Sequence, residues 1–183
     1  MSKSKAAQNI NGWIIIDKPT GMTSTAVVNK IKWACSARKA GHAGTLDPSA
    51  TGILAIALGE ATKTIPYVTE QIKSYDFEVK WGEATDSDDS DGKIIHTSQM
   101  RPSEQDIIAI LPRFRGEIKQ TPPFFLAVKI NGRRAYELAR SGEDFDIASR
   151  SLFVSSLKLE KYISENSAIL SLECGKEIGR AHV

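Results

Sequence analysis

One carboxylate stands out for its setting. Asp47 lies in the run Gly41-His42-Ala43-Gly44-Thr45-Leu46-Asp47-Pro48-Ser49-Ala50-Thr51-Gly52, which mixes three glycines, a proline and small hydroxyl residues. Glycine opens backbone conformations closed to other residues, and Pro48 fixes its own φ and biases Asp47 away from the helix. Such a run predicts a stiff loop. An acid on it, with the imidazole of His42 five residues upstream, suits acid–base or nucleophilic chemistry. The glycines would also let a bulky ligand approach the backbone. Taken alone, Asp-Pro is more often a turn starter without chemistry.

Other chemistries find little support. The acidic run Ser87-Asp88-Asp89-Ser90-Asp91-Gly92 imitates half a calcium loop, but Ser98 stands where the closing bidentate glutamate belongs. No Gly-rich turn is followed by Gly-Lys-Ser/Thr, and no Gly-x-Ser-x-Gly elbow occurs. His42, His96 and His182 lack metal-ligand spacing. Cys35 and Cys174 stand far apart, and read as reduced thiols of a cytoplasmic protein. No metal site is therefore expected.

The chain has 183 residues, 41% of them hydrophobic and 25% charged, as in an ordinary globular domain. No apolar run is long enough to span a bilayer, so no membrane partner is expected. The net charge of +2 is unevenly spread. Residues 1–75 hold nine Lys/Arg against four Asp/Glu, residues 76–100 two against seven, and residues 101–140 eight against four. Two basic segments around an acidic one fit a surface with a basic face, which attracts polyanions.

The elements that must position Asp47 follow from the pattern. Residues 1–10 read as a flexible polar leader. Trp13–Asp17 reads as a short buried strand, broken by the turn Lys18-Pro19-Thr20-Gly21-Met22-Thr23-Ser24. Thr23 or Ser24 can cap a helix reaching about Cys35. Ile53–Leu58 reads as a second buried strand or a tight apolar segment. In Lys73–Trp81, Tyr75, Phe77, Val79 and Trp81 alternate with charged residues, a half-buried strand. Lys93–Thr97 is expected to return as its partner. Ser103-Glu104-Gln105-Asp106 resembles a capping box opening a helix that ends near Pro112. Leu126–Ile130 reads as a strand ending in an Asn131-Gly132 turn, Arg133–Ser141 as a short helix, and Ser156–Ile163 and Ser167–Cys174 as further strands. Helices and mostly antiparallel strands without a βαβ rhythm give the class α+β.

Two of these segments carry a family likeness. Lys-Pro-x-Gly-x-Thr-Ser at Lys18–Ser24 and Gly-His-Ala-Gly-Thr-Leu-Asp-Pro-x-Ala-Thr-Gly at Gly41–Gly52 resemble the N-terminal motifs of the TruB family of bacterial tRNA pseudouridine synthases. Gln120-Thr121-Pro122-Pro123, with Lys129, Gly132, Arg133, Ala135, Tyr136, Ala139, Arg140 and Gly142, resembles that family's middle region. The likeness covers roughly residues 11–176. It implies a pseudouridine synthase fold, a mixed and mostly antiparallel sheet flanked by helices and loops, and a cytoplasmic, monomeric enzyme without cofactor.

The implied reaction isomerises uridine to pseudouridine in the tRNA T-loop, at tRNA position 55. Asp47 matches the catalytic aspartate, which could attack C1′ of the sugar, attack C6 of the base, or remove a sugar proton. Tyr75 matches a tyrosine that packs on the flipped base, although the alternation alone would sooner make it a core aromatic beside Phe77 and Val79. His42 matches a residue holding the flipped RNA loop. Lys18 is either a phosphate contact or a structural anchor. Lys63, Arg133 and Arg134 are weaker candidates for RNA contact.

The likeness fails at the end of the chain. After Cys174-Gly175-Lys176 the family pattern continues Gly-Thr-Tyr-Ile-Arg, whose arginine pairs with the aspartate. This chain reads Glu177-Ile178-Gly179-Arg180-Ala181-His182-Val183. Arg180 falls one residue short, and in an extended segment it would face the other way. The expectation is a catalytic domain over residues 11–183 that is incomplete at its C-terminus, without the family's C-terminal RNA-binding domain. The alternative function is a non-catalytic RNA-binding remnant. A hydrolase with Asp17 as second carboxylate is a third reading.

Overall fold

The computed structural model describes residues 8–90, 92–120, 129–130, 133–134 and 149–175, with backbone alone at 129–130, 133–134 and 150. The chain divides into two compact units, Met1–Gln71 and Ile72–Val183. Among the described residues no helix is long and apolar enough to cross a membrane.

The first unit is built on a three-stranded antiparallel sheet. Its strands are β1 (Gly12–Lys18), β2 (Ala40–His42) and β3 (Gly52–Leu58), in the order β1-β3-β2. Helix α1 (Ser24–Ala34) runs between β1 and β2, and a 3-10 turn at Gly59–Thr64 leads into the short helix α2 (Ile65–Thr69). β3 is central because its apolar run feeds the core. Leu54, Ile56 and Leu58 are almost wholly buried and pack with Val27 and Val28 of α1, with Ile14, Ile16, Ile31 and Leu46 around them. Full burial of such a side chain contributes about 1.5–3 kcal/mol.

The expectation of buried strands needs qualification residue by residue. Ile15 is 60% and Ile53 69% exposed. Only one face of the sheet carries the core, and period-2 geometry turns alternate residues of an apolar run away from it. Gln8 to Ile10, the described part of the expected leader, are held to the first unit. Gln8 donates its amide to Ser36 O at 2.7 Å, and Ile10 packs against the core.

The second unit contains a four-stranded antiparallel sheet. Its members are β4 (Lys73–Lys80), β7 (Gly116–Gln120), β10 (Arg150–Ser164) and β11 (Ser167–Cys174), in the order β4-β11-β10-β7. Two small hairpins accompany it, β5 (Glu83–Thr85) with β6 (Ile94–Thr97), and β8 (Lys129–Ile130) with β9 (Arg133–Arg134). Helix α2 is followed in chain order by α3 (Glu104–Ile110), whose cap is the expected box. Ser103 Oγ accepts from the Asp106 amide at 3.2 Å while Asp106 Oδ2 accepts from the Ser103 amide at 2.9 Å.

In this sheet Ala168, Leu170, Leu172 and Cys174 line the buried face of β11, and Val79, Phe77, Tyr75 and Lys73 stand directly opposite on β4. That complementarity explains why Lys93–Thr97 is not the partner of β4. All four residues of β6 are exposed, so it offers no apolar face, and it pairs with β5 instead. The helix expected from Arg133 is also corrected at its start. Arg133 and Arg134 pair with Ile130 and Lys129 as extended backbone. The rest of that segment, and the C-terminal residues including Arg180, lie outside the described residues.

Candidate active site

Register alone brings the two motifs of the first unit together. β1 and β3 are antiparallel, and Lys18 stands opposite Gly52. Residues that follow Lys18 must therefore run beside those that precede Gly52. The Lys18–Ser24 turn and the Asp47 loop meet for this reason. The loop is also the connection of the β2–β3 hairpin, in which His42 pairs with Ile56 and the Ala43 amide reaches Ala55 O at 2.9 Å. Both ends of the loop are thus held by strand ladders.

Its middle is held by the turn. Ser24 Oγ donates to Leu46 O and accepts from the Leu46 amide, each at 2.9 Å. The hydroxyl mimics a strand partner for that residue, and Ser24 is only 2% exposed. On the other side of Asp47, the Gly21 amide donates to Pro48 O at 2.7 Å, and Thr20 Oγ1 donates to Ser49 O at 3.2 Å. Asp47 O itself accepts from the Ala50 amide at 3.1 Å, closing a tight turn. The Leu46 side chain packs against the core of the first unit. Asp47 is half-buried between these fixed neighbours.

The sequence leaves open whether Thr23 or Ser24 caps α1. Thr23 does so, its Oγ1 accepting from the Ala26 amide at 3.1 Å. Ser24 is thereby free to bind Leu46, a residue the sequence reading did not single out. A hydrogen bond across 22 positions leaves no periodic trace, and only the paired hydroxyls Thr23-Ser24 hint at two jobs.

Lys18 is completely buried, with Nζ donating to Pro19 O and Met22 O at 2.9 Å each. Of its two expected roles this geometry is that of the anchor; an ammonium directed at the carbonyls of its own turn is not presented to a phosphate. His42 is half-buried, and its Nδ1 pairs with Gly44 O. A carbonyl only accepts, so the donor in this bond is the His42 Nδ1–H. Gly44 has φ +109°, a conformation that side chains other than hydrogen strongly disfavour. Lys63 is exposed and paired with Glu60 Oε2 at 2.5 Å. Asp17 is exposed on β1, opposite Ile53.

In the second unit, Tyr75 is half-buried on the inner face of β4, opposite Leu172 and against the core. Burial raises the pKa of its phenol above the usual value, and Cys174 adds to the rise. The Cys174 thiol is itself raised by burial, opposed by Lys73. Both groups are therefore neutral near pH 7. Among the described residues no cluster of His, Cys, Asp and Glu could hold a metal ion.

Comparisons with known proteins agree in one direction. The family description "TruB family pseudouridylate synthase (N terminal domain)" matches residues 32–178. The tRNA pseudouridine synthase B of Roseobacter denitrificans is 53% identical over 176 residues, which is 96% of this chain and 58% of that protein. Its counterpart in Cereibacter sphaeroides is 54% identical over the same shares. The chain thus spans 58% of the length of these curated relatives. Among solved structures, a chain of a Cbf5-Nop10-Gar1 complex matches with a TM-score of 0.64 at 26% identity, over 91% of this chain and 40% of that one.

Proposed function

The chain belongs to the TruB family of pseudouridylate synthases, and we propose that it converts uridine to pseudouridine in the T-arm of tRNA, with Asp47 as the catalytic carboxylate. The observation that carries this reading is the fixing of Asp47 from both sides, by Ser24 at Leu46 and by Gly21 and Thr20 at Pro48 and Ser49. Catalysis by one acid depends on holding it within a fraction of an ångström of the reacting carbon, and a loop tied at three points is suited to that.

The reaction is an internal exchange. The N1–C1′ bond breaks, the uracil turns over, and C5 bonds to C1′. The C5 proton leaves and N1 gains one, so no oxidant, reductant or external group is consumed, and no cofactor is required. An ionised Asp47 has three routes open to it: attack on C1′, attack on C6, or abstraction of a sugar proton to give a glycal. Each is favoured by exclusion of water from the carboxylate.

The target base must first leave its stack within the RNA loop. In this reading Tyr75 packs on the extruded uracil and replaces its lost stacking. Its phenol, kept neutral by burial, is suited to donate a hydrogen bond or to move the C5 proton. His42, a flat ring at the start of the loop, packs on RNA bases and holds the opened loop. Lys18 acts through the turn it anchors and not on phosphate. The protein is proposed to work as a monomer in the cytoplasm.

The test is incubation with unmodified T-arm RNA and analysis for pseudouridine, beside Asp47→Asn. Conversion by the parent and none by the variant, with RNA binding kept, is expected. Equal product from both would remove Asp47 from its role. Binding without any base change would favour an RNA-binding remnant, and release of free uracil would favour a hydrolase.

A further inference from the structure

We infer that Ser24 is a positioning residue for Asp47, acting through the backbone of Leu46. The inference rests on the assignment of Asp47 to the reaction. Ser24 is buried to 2% exposure, yet its hydroxyl is not spent on its own helix, because Thr23 supplies the N-cap. It is spent on both backbone groups of the residue immediately before the acid. That is an unusual use of a side chain. A hydroxyl has one proton and two lone pairs, so it can satisfy a donor and an acceptor of one residue together.

The arrangement locks Leu46 in two ways. Its side chain is held by the core around Leu54 and Ile56, and its peptide groups are held by Ser24. With both fixed, the direction in which the chain enters Asp47 is fixed as well. Gly21 and Thr20 then set the exit at Pro48 and Ser49. Removing the hydroxyl frees the entry while the exit stays tied. The carboxylate then swings about Pro48, and misplacement of a reacting group by about 1 Å lowers rate by up to roughly 100-fold. A group that only positions changes the rate of the chemical step and leaves RNA affinity alone, since affinity is made by other surfaces.

The experiment uses the full chain as parent, Ser24→Ala, Ser24→Cys and Ser24→Thr. Cysteine keeps the volume with a much weaker hydrogen-bonding group, and threonine keeps the hydroxyl. Two readings are taken: amide hydrogen exchange by NMR, and affinity with single-turnover rate on unmodified T-arm RNA. Ser24→Ala should speed exchange at Leu46 by about 10-fold or more, while the Leu54 and Ile56 amides stay protected. Its single-turnover rate should fall between about 10- and 100-fold at an RNA affinity within about two-fold of the parent. Ser24→Thr should recover most of the rate. Should Ser24→Ala lose its fold, Ser24→Cys is read in its place by the same criteria. A parent-like rate in the folded Ala or Cys variant, or unchanged exchange at Leu46, overturns the inference. A parent that makes no pseudouridine refutes the proposed function instead, and exchange at Leu46 then decides alone whether Ser24 holds the loop.

Discussion

Gly21 donates its amide to the carbonyl of Pro48 at 2.7 Å, and it does so from a backbone with φ +83°. Two motifs separated by the whole of α1 are joined by that bond, one residue past the proposed catalytic acid. The donor is aimed correctly only because the turn takes a left-handed step at Gly21.

Gly21→Ala should therefore strain the turn with no steric clash, since a Cβ there meets nothing within 4 Å. The left-handed conformation costs a residue with a Cβ about 1–2 kcal/mol. Urea unfolding should show a lower midpoint with an unchanged slope. Pseudouridine formation should fall further than the folded fraction does. A variant with parent stability would mean that the turn relaxes freely.

Lys18→Met separates anchor from phosphate contact. Two carbonyls lose their donor inside a buried turn, which costs about 1–3 kcal/mol. The thermal midpoint should drop accordingly. The slope of log affinity for T-arm RNA against log salt should not change, whereas loss of one phosphate contact would shift it by about one. A shallower slope would restore Lys18 to the RNA surface.

Tyr75 has a pH signature. Burial first, and Cys174 second, lift its phenol pKa above 10.0 in the folded state. The folded protein then holds the proton longer than the unfolded chain does. Stability from this group is whole below the unfolded value and is lost as pH rises from there through the folded one. Urea midpoints between about pH 9 and pH 11 should fall for the parent and fall less steeply for Tyr75→Phe. Cys174, whose thiol is likewise held above 9.0 by burial, should supply the remaining slope. Equal slopes for parent and Phe variant would show the phenol in ordinary solvent. On RNA, Tyr75→Leu should lose about 1–3 kcal/mol of base stacking that Tyr75→Phe retains.

Much of this fold was legible because burial leaves a period. The alternation from Tyr75 to Trp81 located β4 and its inner face, and Ala168 to Cys174 did the same for β11. The Ser103 box marked the start of α3. Pairing was less legible, since Ile94-Ile95 looks strand-like but says nothing of which edge it joins. The apolar run of β1 hid its one-sided packing, because hydrophobicity does not report which residues a neighbouring layer covers. The Asp47 loop itself was recognisable from its glycines and proline. Its ties to Ser24 and Gly21 were not, because they arise from the Lys18–Gly52 register and from no local pattern.

That register has a consequence for how the loop can vary. With a ladder at each end and three ties within, the path from Ala43 to Gly52 has no slack to take up an added residue. Substitutions can be tried one side chain at a time, but the number of peptide units is effectively set. Surface loops are commonly where chain length drifts most freely; this one resembles a measured brace, in which identity is negotiable at several positions and count is not.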